Sequence, residues 1–355
     1  MINIVFVGDI MLSRNVGNFL KKNNKHKIIS DELVNILNKS DLCIGNLESP
    51  VSNKDKIVKK NGFCAEYQTL MQIEKINMVS LGNNHVFDCG IDGVFDTINR
   101  LKDVRIKWSG VIDDHEDIVT PVEYNVKNKK IAIYSCVVDE CIGNDDRKNN
   151  IKLIKISDKR VQDSIKKYKS ISDIIIVLIH GGNEMISYPQ PSFKKICRQV
   201  IENGADMVVT THPHVLGGFE EYMGKYIFYS MGDFIFDADS YIRKRSGVLS
   251  VTINREIQWN MIPIVMDEKM RIVIAFDTVG DKIIKKYKYV SKKIVEKDYE
   301  KKYKYYYVSD FIIFQIDRLY YKIKTKGILE FMVFLFSKMK YVVHYMKKII
   351  YRQYI

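Results

Sequence analysis

The amino-terminal stretch INIVFVGDIML, residues 2–12, joins a mostly apolar run directly to a Gly-Asp pair. A short apolar run that ends at turn residues is typical of a strand buried on both faces. Asp9 stands at the carboxyl end of this run. The same arrangement, an apolar run followed at once by a polar side chain, recurs at residues 42–48, 78–85, 174–180 and 207–214. The stretch therefore predicts the first strand of a sheet whose strand ends carry polar groups.

Helix-like segments separate these strand-like runs throughout the first 240 residues. Nearly apolar strands that alternate with helices of about ten residues favour an α/β fold with sheets covered on both faces. Residues 246–276 instead contain strand patterns without helices between them, and we expect them to end a second sheet. The helical patterns fall at residues 31–38, 92–101, 159–168 and 192–203.

Positive charge is concentrated at the carboxyl end of the chain. The whole chain carries +13, and residues 281–355 hold 19 basic and 7 acidic side chains, or +12. Such a cluster attracts anionic partners, namely lipid headgroups, acidic polymers or nucleic acid, although a solvated basic face without a partner has the same composition. Because no nucleic-acid-binding module is recognisable, nucleic acid is not a predicted partner.

The last segment, residues 311–355, has helical spacing of apolar side chains, with Ile312, Ile316, Leu319 and Ile323 on one stripe. Its longest apolar run, residues 331–336, is far shorter than the roughly 18–20 residues that a membrane span needs. Two interpretations stay open: peripheral contact with the inner face of a membrane, or docking on a neighbouring protein surface. We divide the chain into a domain at residues 1–280 and a basic, aromatic-rich helical tail at 281–355.

The amino terminus and the cysteines indicate a reducing, cytoplasmic location. The first strand begins at residue 2, which leaves no room for the charged and apolar regions of a signal peptide. The six cysteines form no CxxC pair and no spacing typical of a disulfide framework or zinc knuckle.

Seven side chains at the predicted strand ends form a candidate metal site. In open α/β sheets, ligands bind outside the carboxyl ends of the strands, so these side chains are expected to converge. Carboxylate, amide and imidazole groups without a thiolate suit a divalent cation such as Mn, Zn, Fe or Mg. The residues are Asp9, Glu48, Asn84, His85, His180, His212 and His214.

The order and the local sequences of these segments resemble the CapA family of capsule-synthesis proteins, within the calcineurin-like metallophosphoesterases. The resemblance covers about residues 1–240. It implies a four-layer α-β-β-α sandwich of the metallophosphoesterase type, with a cleft for two divalent metal ions. It also implies work in the production of an anionic surface polymer such as poly-γ-glutamate. The segments that carry it are GDIMLSR (8–14), GNLESP (45–50), NNHVFDCG (83–90), HGGNE (180–184), HPHV (212–215) and YSMGDFIFD (229–237).

The resemblance also implies a role for each site residue. Asp9 and His214 would hold one metal, with Glu48 as the bridge to the second. His85 would act as a general acid near the leaving group, and Asp88 would orient its imidazole. The remaining roles are second-metal ligands for Asn84, His180 and His212, and contacts with an anionic substrate for Arg14 and Tyr188.

Three positions depart from the family's pattern. Met11 stands where phosphoesterases of this superfamily usually place a histidine, and a thioether is a poor ligand for a hard cation. Asp233 stands where the family usually has Asn, and Thr211 replaces a usual Gly or His.

Two hypotheses follow: a metal-dependent hydrolase of the phosphoesterase type, or a non-catalytic component that uses the same metal cleft to bind an anionic polymer or an assembly partner. A phosphoesterase acting on nucleic acid fits the basic tail but lacks a recognised binding module.

Overall fold

The protein is described by a computed structural model that covers residues 1–23, 26–53, 57–59, 62–142 and 150–351, with side chains described as far as residue 325. The strands, in chain order, are β1 (Ile2–Ile10), β2 (Leu42–Leu47), β3 (Met78–Ser80), β4 (Lys107–Ser109), β5 (Val111–Asp113), β6 (Val122–Val126), β7 (Lys129–Val137), β8 (Ile151–Leu153), β9 (Ile174–His180), β10 (Met207–Thr211), β11 (Phe219–Tyr222), β12 (Lys225–Phe228), β13 (Asp233–Ile235), β14 (Arg245–Ile253), β15 (Ile257–Met266) and β16 (Ile272–Ile274). The helices are α1 (Arg14–Lys22), α2 (Asp31–Lys39), α3 (Gly90–Asp103), α4 (Lys159–Tyr168), α5 (Pro191–Glu202), α6 (Asp277–Ile294) and α7 (Tyr299–Tyr351).

Most of the strands form two large sheets. The first has the order β16-β15-β14-β1-β2-β3-β4, with β13 also paired to β1, and the second has the order β11-β12-β10-β9-β7-β6. Strands β1, β2, β3 and β4 run parallel to one another, as do β7, β9, β10 and β12. Parallel strands end at the same edge of a sheet, so each sheet gathers several carboxyl strand ends at one edge.

Three apolar clusters separate four layers. Ile4 of β1 and Ile176 of β9 belong to a core between the two sheets. Val5, the neighbour of Ile4, belongs to a core that the first sheet shares with α1, α2 and α3. Val177, the neighbour of Ile176, belongs to a core that the second sheet shares with α4 and α5. Because successive side chains of a strand point to opposite faces, adjacent residues enter different cores. The predicted α-β-β-α sandwich is confirmed.

The last strands extend the first sheet. Strand β14 pairs antiparallel with β1, from Phe6 opposite Leu249 to Ile2 opposite Ile253. Strands β15 and β16 then continue outward from β14. The expectation that residues 246–276 end a second sheet is therefore wrong. An antiparallel pairing between residues about 250 positions apart leaves no local signal in the sequence.

Helix α6 packs into the body of the protein. Ile283 and Tyr287 enter the core between the sheets, and Val290 and Ile294 enter the core beside α5. The predicted division at residue 281 falls inside this helix and stays a prediction. Helix α7 follows, with non-helical backbone at Gly327. Within the described part of the chain, no helix is long and apolar enough to cross a membrane.

Gly8 permits the close approach of two chain segments beside the end of β1. A Cβ atom at residue 8 would collide with the backbone carbonyl of Gly232. We expect Gly8→Ala to lower the free energy of unfolding by about 2–4 kcal/mol, since backbone atoms on both sides must move.

The measurement is urea denaturation, with Gly224→Ala as the comparison. Gly224 has a positive φ of 70° and nothing near its missing Cβ. That variant should lose only about 1 kcal/mol from backbone strain. Equal losses in the two variants would contradict the steric explanation.

Candidate metal centre

The structure brings all seven predicted strand-end residues together. Asp9 lies in β1 and Glu48 directly after β2, whereas His180 ends β9 of the other sheet. The site therefore lies where the carboxyl ends of strands from both sheets meet. Asn84, His85, His212 and His214 enter from the loops that follow β3 and β10.

One group of ligand atoms consists of Glu48, His180 and His212. These three buried side chains each offer an atom, and the atoms lie within 4.8 Å of one another. Asn84 adjoins them, with its Oδ1 2.9 Å from His180 Nε2. Two ligands of one cation stand roughly 3 Å apart when each lies about 2.1 Å from the ion at a right angle. The four residues, of which three were predicted to hold one metal, therefore have suitable spacing.

The second group consists of Asp9, His214 and Asp233. Their ligand atoms also lie within 4.8 Å of one another, and all three side chains are buried. Asp9 Oδ2 lies 3.5 Å from His214 Nδ1, and Asp233 Oδ1 lies 2.8 Å from the same nitrogen. His214 Nε2 faces Glu48 Oε1 at 3.6 Å, so Glu48 stands between the two groups, as the predicted bridge requires.

Asp233 is tied to a buried arginine. Arg243 Nε donates to Asp233 Oδ2 at 3.0 Å, and Nη2 of the same guanidinium lies 2.8 Å from that oxygen. The guanidinium thus balances the charge of Asp233, while the other carboxylate oxygen orients His214. This arrangement gives a structural role to Asp233, which stands where the resemblance implies an Asn. A carboxylate that hydrogen-bonds a histidine in this way fixes the direction of the ring, a common arrangement beside metals.

Two asparagines connect the loops beneath the ligands. Asn46 donates from Nδ2 to Asp9 Oδ1 at 2.7 Å. Its Oδ1 accepts from Asn83 Nδ2 at 3.1 Å, and Asn83 Nδ2 also donates to the carbonyl of Leu47 at 2.9 Å. Asn83 Oδ1 in turn accepts the backbone N–H of His85 at 3.1 Å. The amide network therefore ties the ends of β1, β2 and β3 together. Thr211 contributes from β10, since its Oγ1 lies 3.1 Å from His180 Nδ1.

The His212-Pro213-His214 loop is strained. His212 has φ 103° and His214 has φ 58°, values that cost non-glycine residues about 1–3 kcal/mol each. The backbone N–H of His212 donates to Asp9 Oδ2 at 3.2 Å, which helps to hold this conformation. Such strain is common at functional sites because surrounding contacts over-determine the backbone.

The electrostatics of the cluster favour a bound cation. Burial raises the pKa of Glu48 well above its usual value, and the neighbouring Asp9 and Asp233 raise it further. Burial likewise raises the pKa of Asp9, against the opposing effect of His214. Within the described residues, Glu48 Oε1 and His212 Nδ1 are buried without a hydrogen-bond partner. Unpaired lone pairs beside crowded carboxylates are what a divalent cation would satisfy, so the residues present fit such an ion.

Three histidines of the cluster are buried, and two of them have a lowered pKa that keeps the imidazole neutral. Burial and the neighbouring His214 lower the pKa of His212 to about 3. Burial and the neighbouring His212 lower the pKa of His180 well below its usual value. Burial alone would also lower the pKa of His214, but the Asp233 carboxylate raises it above the ordinary value. Neutral imidazole is the form that binds metals.

His85 and Asp88 form a dyad at the mouth of the site. Asp88 Oδ2 lies 2.6 Å from His85 Nδ1 and also accepts the backbone N–H of Phe63 at 2.7 Å. His85 stacks on the Phe63 ring, with centroids 4.0 Å apart, and its Nε2 lies 3.8 Å from Glu48 Oε1. The carboxylate thus holds Nδ1, and Nε2 is the nitrogen that faces the metal ligands.

Met11 takes no part in the site. Its side chain is fully buried in the core beside the first sheet. Its sulfur accepts hydrogen bonds from the backbone N–H of Ser13 at 3.3 Å and from the Ser13 hydroxyl at 3.0 Å. A packing residue thus occupies the position at which the resemblance implies a histidine.

The two predicted substrate contacts differ in position. Arg14 is half-exposed, lies over the Phe63 ring at 5.4 Å and pairs with Asp237 at 3.4 Å, so it stands at the rim beside the dyad. Tyr188 packs against α7. It is buried and stacks on Tyr306 of α7, with ring centroids 4.7 Å apart, so the geometry gives its predicted substrate contact no support.

Helix α7 holds the two loops beside the site. One loop follows β9 and the other joins β13 to β14. The hydrogen bonds run from the Ser187 N–H to the Asp310 carboxylate at 2.7 Å, from the Ile242 N–H to the Asp317 carboxylate at 2.8 Å, and from the Tyr299 hydroxyl to the Pro189 carbonyl at 2.6 Å.

The sequence matches known proteins over about two thirds of its length. It is 27% identical over 247 residues to the capsule biosynthesis protein CapA of Bacillus anthracis, covering 66% of this chain and 60% of that protein. It is 28% identical over 250 residues to the PGA biosynthesis protein CapA of Bacillus subtilis, covering 69% of this chain and 65% of that protein. The chain thus spans less than two thirds of the length of either relative.

Solved structures resemble it more distantly. A 5′-nucleotidase precursor from Thermus thermophilus aligns with 81% of this chain and 58% of its own, at 13% identity and a TM-score of 0.44. A hypothetical protein of the same organism aligns with 74% of this chain and 99% of its own, also at 13% identity and a TM-score of 0.44. Similarity at this level says nothing about what the present chain binds.

The family assignment rests on the sequence. Residues 3–238, which include every candidate metal ligand, match the family described as bacterial capsule synthesis protein PGA_cap. This match covers about two thirds of the chain. The resemblance to CapA proteins is confirmed, and the chain belongs to the PGA_cap family of bacterial capsule synthesis proteins.

Proposed function

We propose that this protein is a metal-dependent hydrolase of the phosphoesterase type that acts in the production of an anionic surface polymer such as poly-γ-glutamate. The observation that carries the proposal is the pairing of two buried ligand groups with a histidine dyad on one side of them. Glu48 lies between the two ligand groups and 3.8 Å from the His85 imidazole. The proton donor therefore lies beside the metal ligands.

The side chains divide the work between holding cations and moving a proton. Glu48, Asn84, His180 and His212 would hold one divalent cation. Asp9 and His214 would hold the other, with Asp233 orienting the His214 ring. When bound, two such ions stabilise negative charge on a phosphoryl group by Lewis-acid contacts. His85 Nε2 would donate a proton to the leaving-group oxygen, while Asp88 keeps Nδ1 protonated and the ring in position. Arg14 at the rim would attract the anionic substrate.

A non-catalytic role is the second candidate, and Met11 favours it. Its buried sulfur is engaged by Ser13, so the second ligand group gains no imidazole from this position. Such a protein would bind metal and use the charge of the cleft to hold an anionic polymer or an assembly partner.

The test separates the two functions. The purified chain is loaded with Mn²⁺, its metal content is measured, and it is assayed on a generic phosphodiester and on poly-γ-glutamate. Cleavage that depends on metal supports the hydrolase. Full loading at both sites without cleavage of either substrate supports the non-catalytic role, and failure to bind metal contradicts both.

We also propose that α7 contacts a membrane surface with anionic lipids. An apolar stripe of this helix faces solvent, with Ile312 50%, Ile316 60%, Tyr320 52% and Ile323 36% exposed. The spacing of these residues places them on one helix face. The excess basic charge of residues 281–355 supports attraction to anionic headgroups. Of the predicted segment, residues 352–355 lie outside the described part of the chain.

The stripe can be tested with charged substitutions. We expect Ile312→Glu with Ile316→Glu to reduce cosedimentation with anionic vesicles by about tenfold, because each apolar side chain would lose its burial in the interface. The matched control is Met71→Glu with Met223→Glu, at positions that are 59% and 70% exposed elsewhere on the surface. Equal loss in both pairs, or no loss in either, would refute the contact.

A further inference from the structure

A small groove lies beside the segments that carry the metal-site residues. It measures about 80 Å³ and runs between the start of β14 and α6. Val215 and Leu216, in its wall, directly follow His214. Ile242, also in its wall, directly precedes the Arg243 that holds Asp233. The groove is thus built on the outer side of the loops that position the second ligand group.

Cations line this groove above an apolar floor. Arg245, Lys282 and Lys286 are exposed, whereas Leu216 and Ile283 below them are buried. Lys286 lies 4.0 Å from Asp310. In the described part of the chain, neither Arg245 nor Lys282 has a carboxylate within ion-pair distance. The groove therefore keeps positive charge that the protein does not neutralise.

The arrangement suits an extended ligand. Lys282 and Lys286 stand one turn apart on α6, roughly 6 Å along its axis, and Arg245 faces them from β14. A small anion could reach one or two of these exposed cations, and each such pair contributes little in water. A chain that carries a carboxylate on every repeat engages all three at once, and its attachment gains from the high effective concentration of each further group.

The apolar floor of the groove favours a polyanion that carries methylene groups. Leu216 and Ile283 offer an apolar surface suited to methylene groups, which flank the carboxylates of a glutamate-type polymer. A buried anion site would instead supply inward-pointing polar donors. We infer that this groove, lined by Arg245, Lys282 and Lys286, is a subsite for a linear polycarboxylate of the glutamate type, which it holds beside the metal centre. The inference rests on the proposed function, because it assigns a binding place on the protein to the polymer of that function.

The experiment measures binding of fluorescent poly-γ-glutamate to the full chain by anisotropy at moderate salt. We expect Arg245→Glu with Lys282→Glu to weaken the affinity about tenfold. The control is Lys285→Glu with Lys288→Glu, which removes the same charge from exposed positions of α6 outside the groove. It should weaken binding about threefold or less, through the long-range field alone. The neutral pair Arg245→Gln with Lys282→Gln should fall between the wild type and the charge reversal.

Each other result overturns the inference. Equal weakening by the groove and control pairs would mean that the polymer senses only net charge. Inorganic phosphate or free glutamate is added in a second experiment, at a concentration equal to that of the polymer's carboxylates. If either one displaces the polymer, the groove holds small anions. Hydrolysis of a phosphodiester by the Mn²⁺-loaded wild type is measured separately, so failure of the proposed catalysis is distinguishable from failure of the subsite.

Discussion

Replacing His85 with alanine is expected to lower kcat for phosphodiester hydrolysis by about 10²–10⁴-fold while both metals stay bound. A positioned general acid contributes a factor of this size. His85 is also not a member of either ligand group, although its Nε2 lies 3.8 Å from Glu48 Oε1. The measurements are steady-state rates with a substrate of poor leaving group and metal content by elemental analysis.

Two further variants sharpen this prediction. Asp88→Asn should lower kcat about tenfold, because the ring loses the carboxylate that holds Nδ1 at 2.6 Å. His115→Ala, at an exposed position, should leave the rate unchanged. If the His85 variant keeps its metals and loses less than threefold in rate, His85 is not the proton donor.

Replacing Glu48 with glutamine is expected to change stability in opposite directions with and without metal. Without metal, the variant should be more stable by about 1 kcal/mol, because a buried carboxylate with an unpaired oxygen becomes a neutral amide. With Mn²⁺, the wild type should gain about 2.7 kcal/mol at a free concentration one hundred times its dissociation constant. The variant should gain little, since its bridging charge is gone.

Thermal unfolding with and without Mn²⁺, together with metal analysis, measures both effects. Glu116→Gln, which removes an exposed carboxylate, serves as the control and should behave as the wild type. The Glu48→Gln variant should bind one metal or none. A Glu48 variant that binds two metals and is stabilised as much as the wild type would remove Glu48 from the site.

The sequence was sufficient for the features that local patterns encode. An apolar run followed by a polar residue predicts a strand and its end, and β9 illustrates this with seven consecutive buried residues that finish at His180. Since parallel strands share an edge, the convergence of Asp9, Glu48 and His180 followed from the same pattern. The alternation of strands with helices predicted only an α/β fold with sheets covered on both faces. The four-layer arrangement was implied by the resemblance to the CapA family.

Contacts between residues far apart in the chain could not be predicted from local sequence patterns. Arg243 was not predicted, because its meeting with Asp233 depends on how the loop between β13 and β14 folds back. The supporting role of Asn83 was likewise missed, although Asn83 lies in the segment 83–90 that carries part of the family resemblance. Tyr188 was expected at the cleft, yet it packs under Tyr306, which is 118 positions further along the chain. No local pattern indicates that α7 covers this loop.

Two carboxylates of α7 hold the loops beside the site, so the spacing of these carboxylates along the helix sets the distance between the loops. Asp310 bonds Ser187 and Asp317 bonds Ile242, seven residues or about 10 Å of helix apart. A seven-residue interval returns nearly to the same side of a helix, so both carboxylates face the body together. One residue inserted between them would rotate the second by about 100° and lift it away from its loop. The length and phase of this short interval, more than its composition, therefore set how far apart the two walls of the metal centre stand.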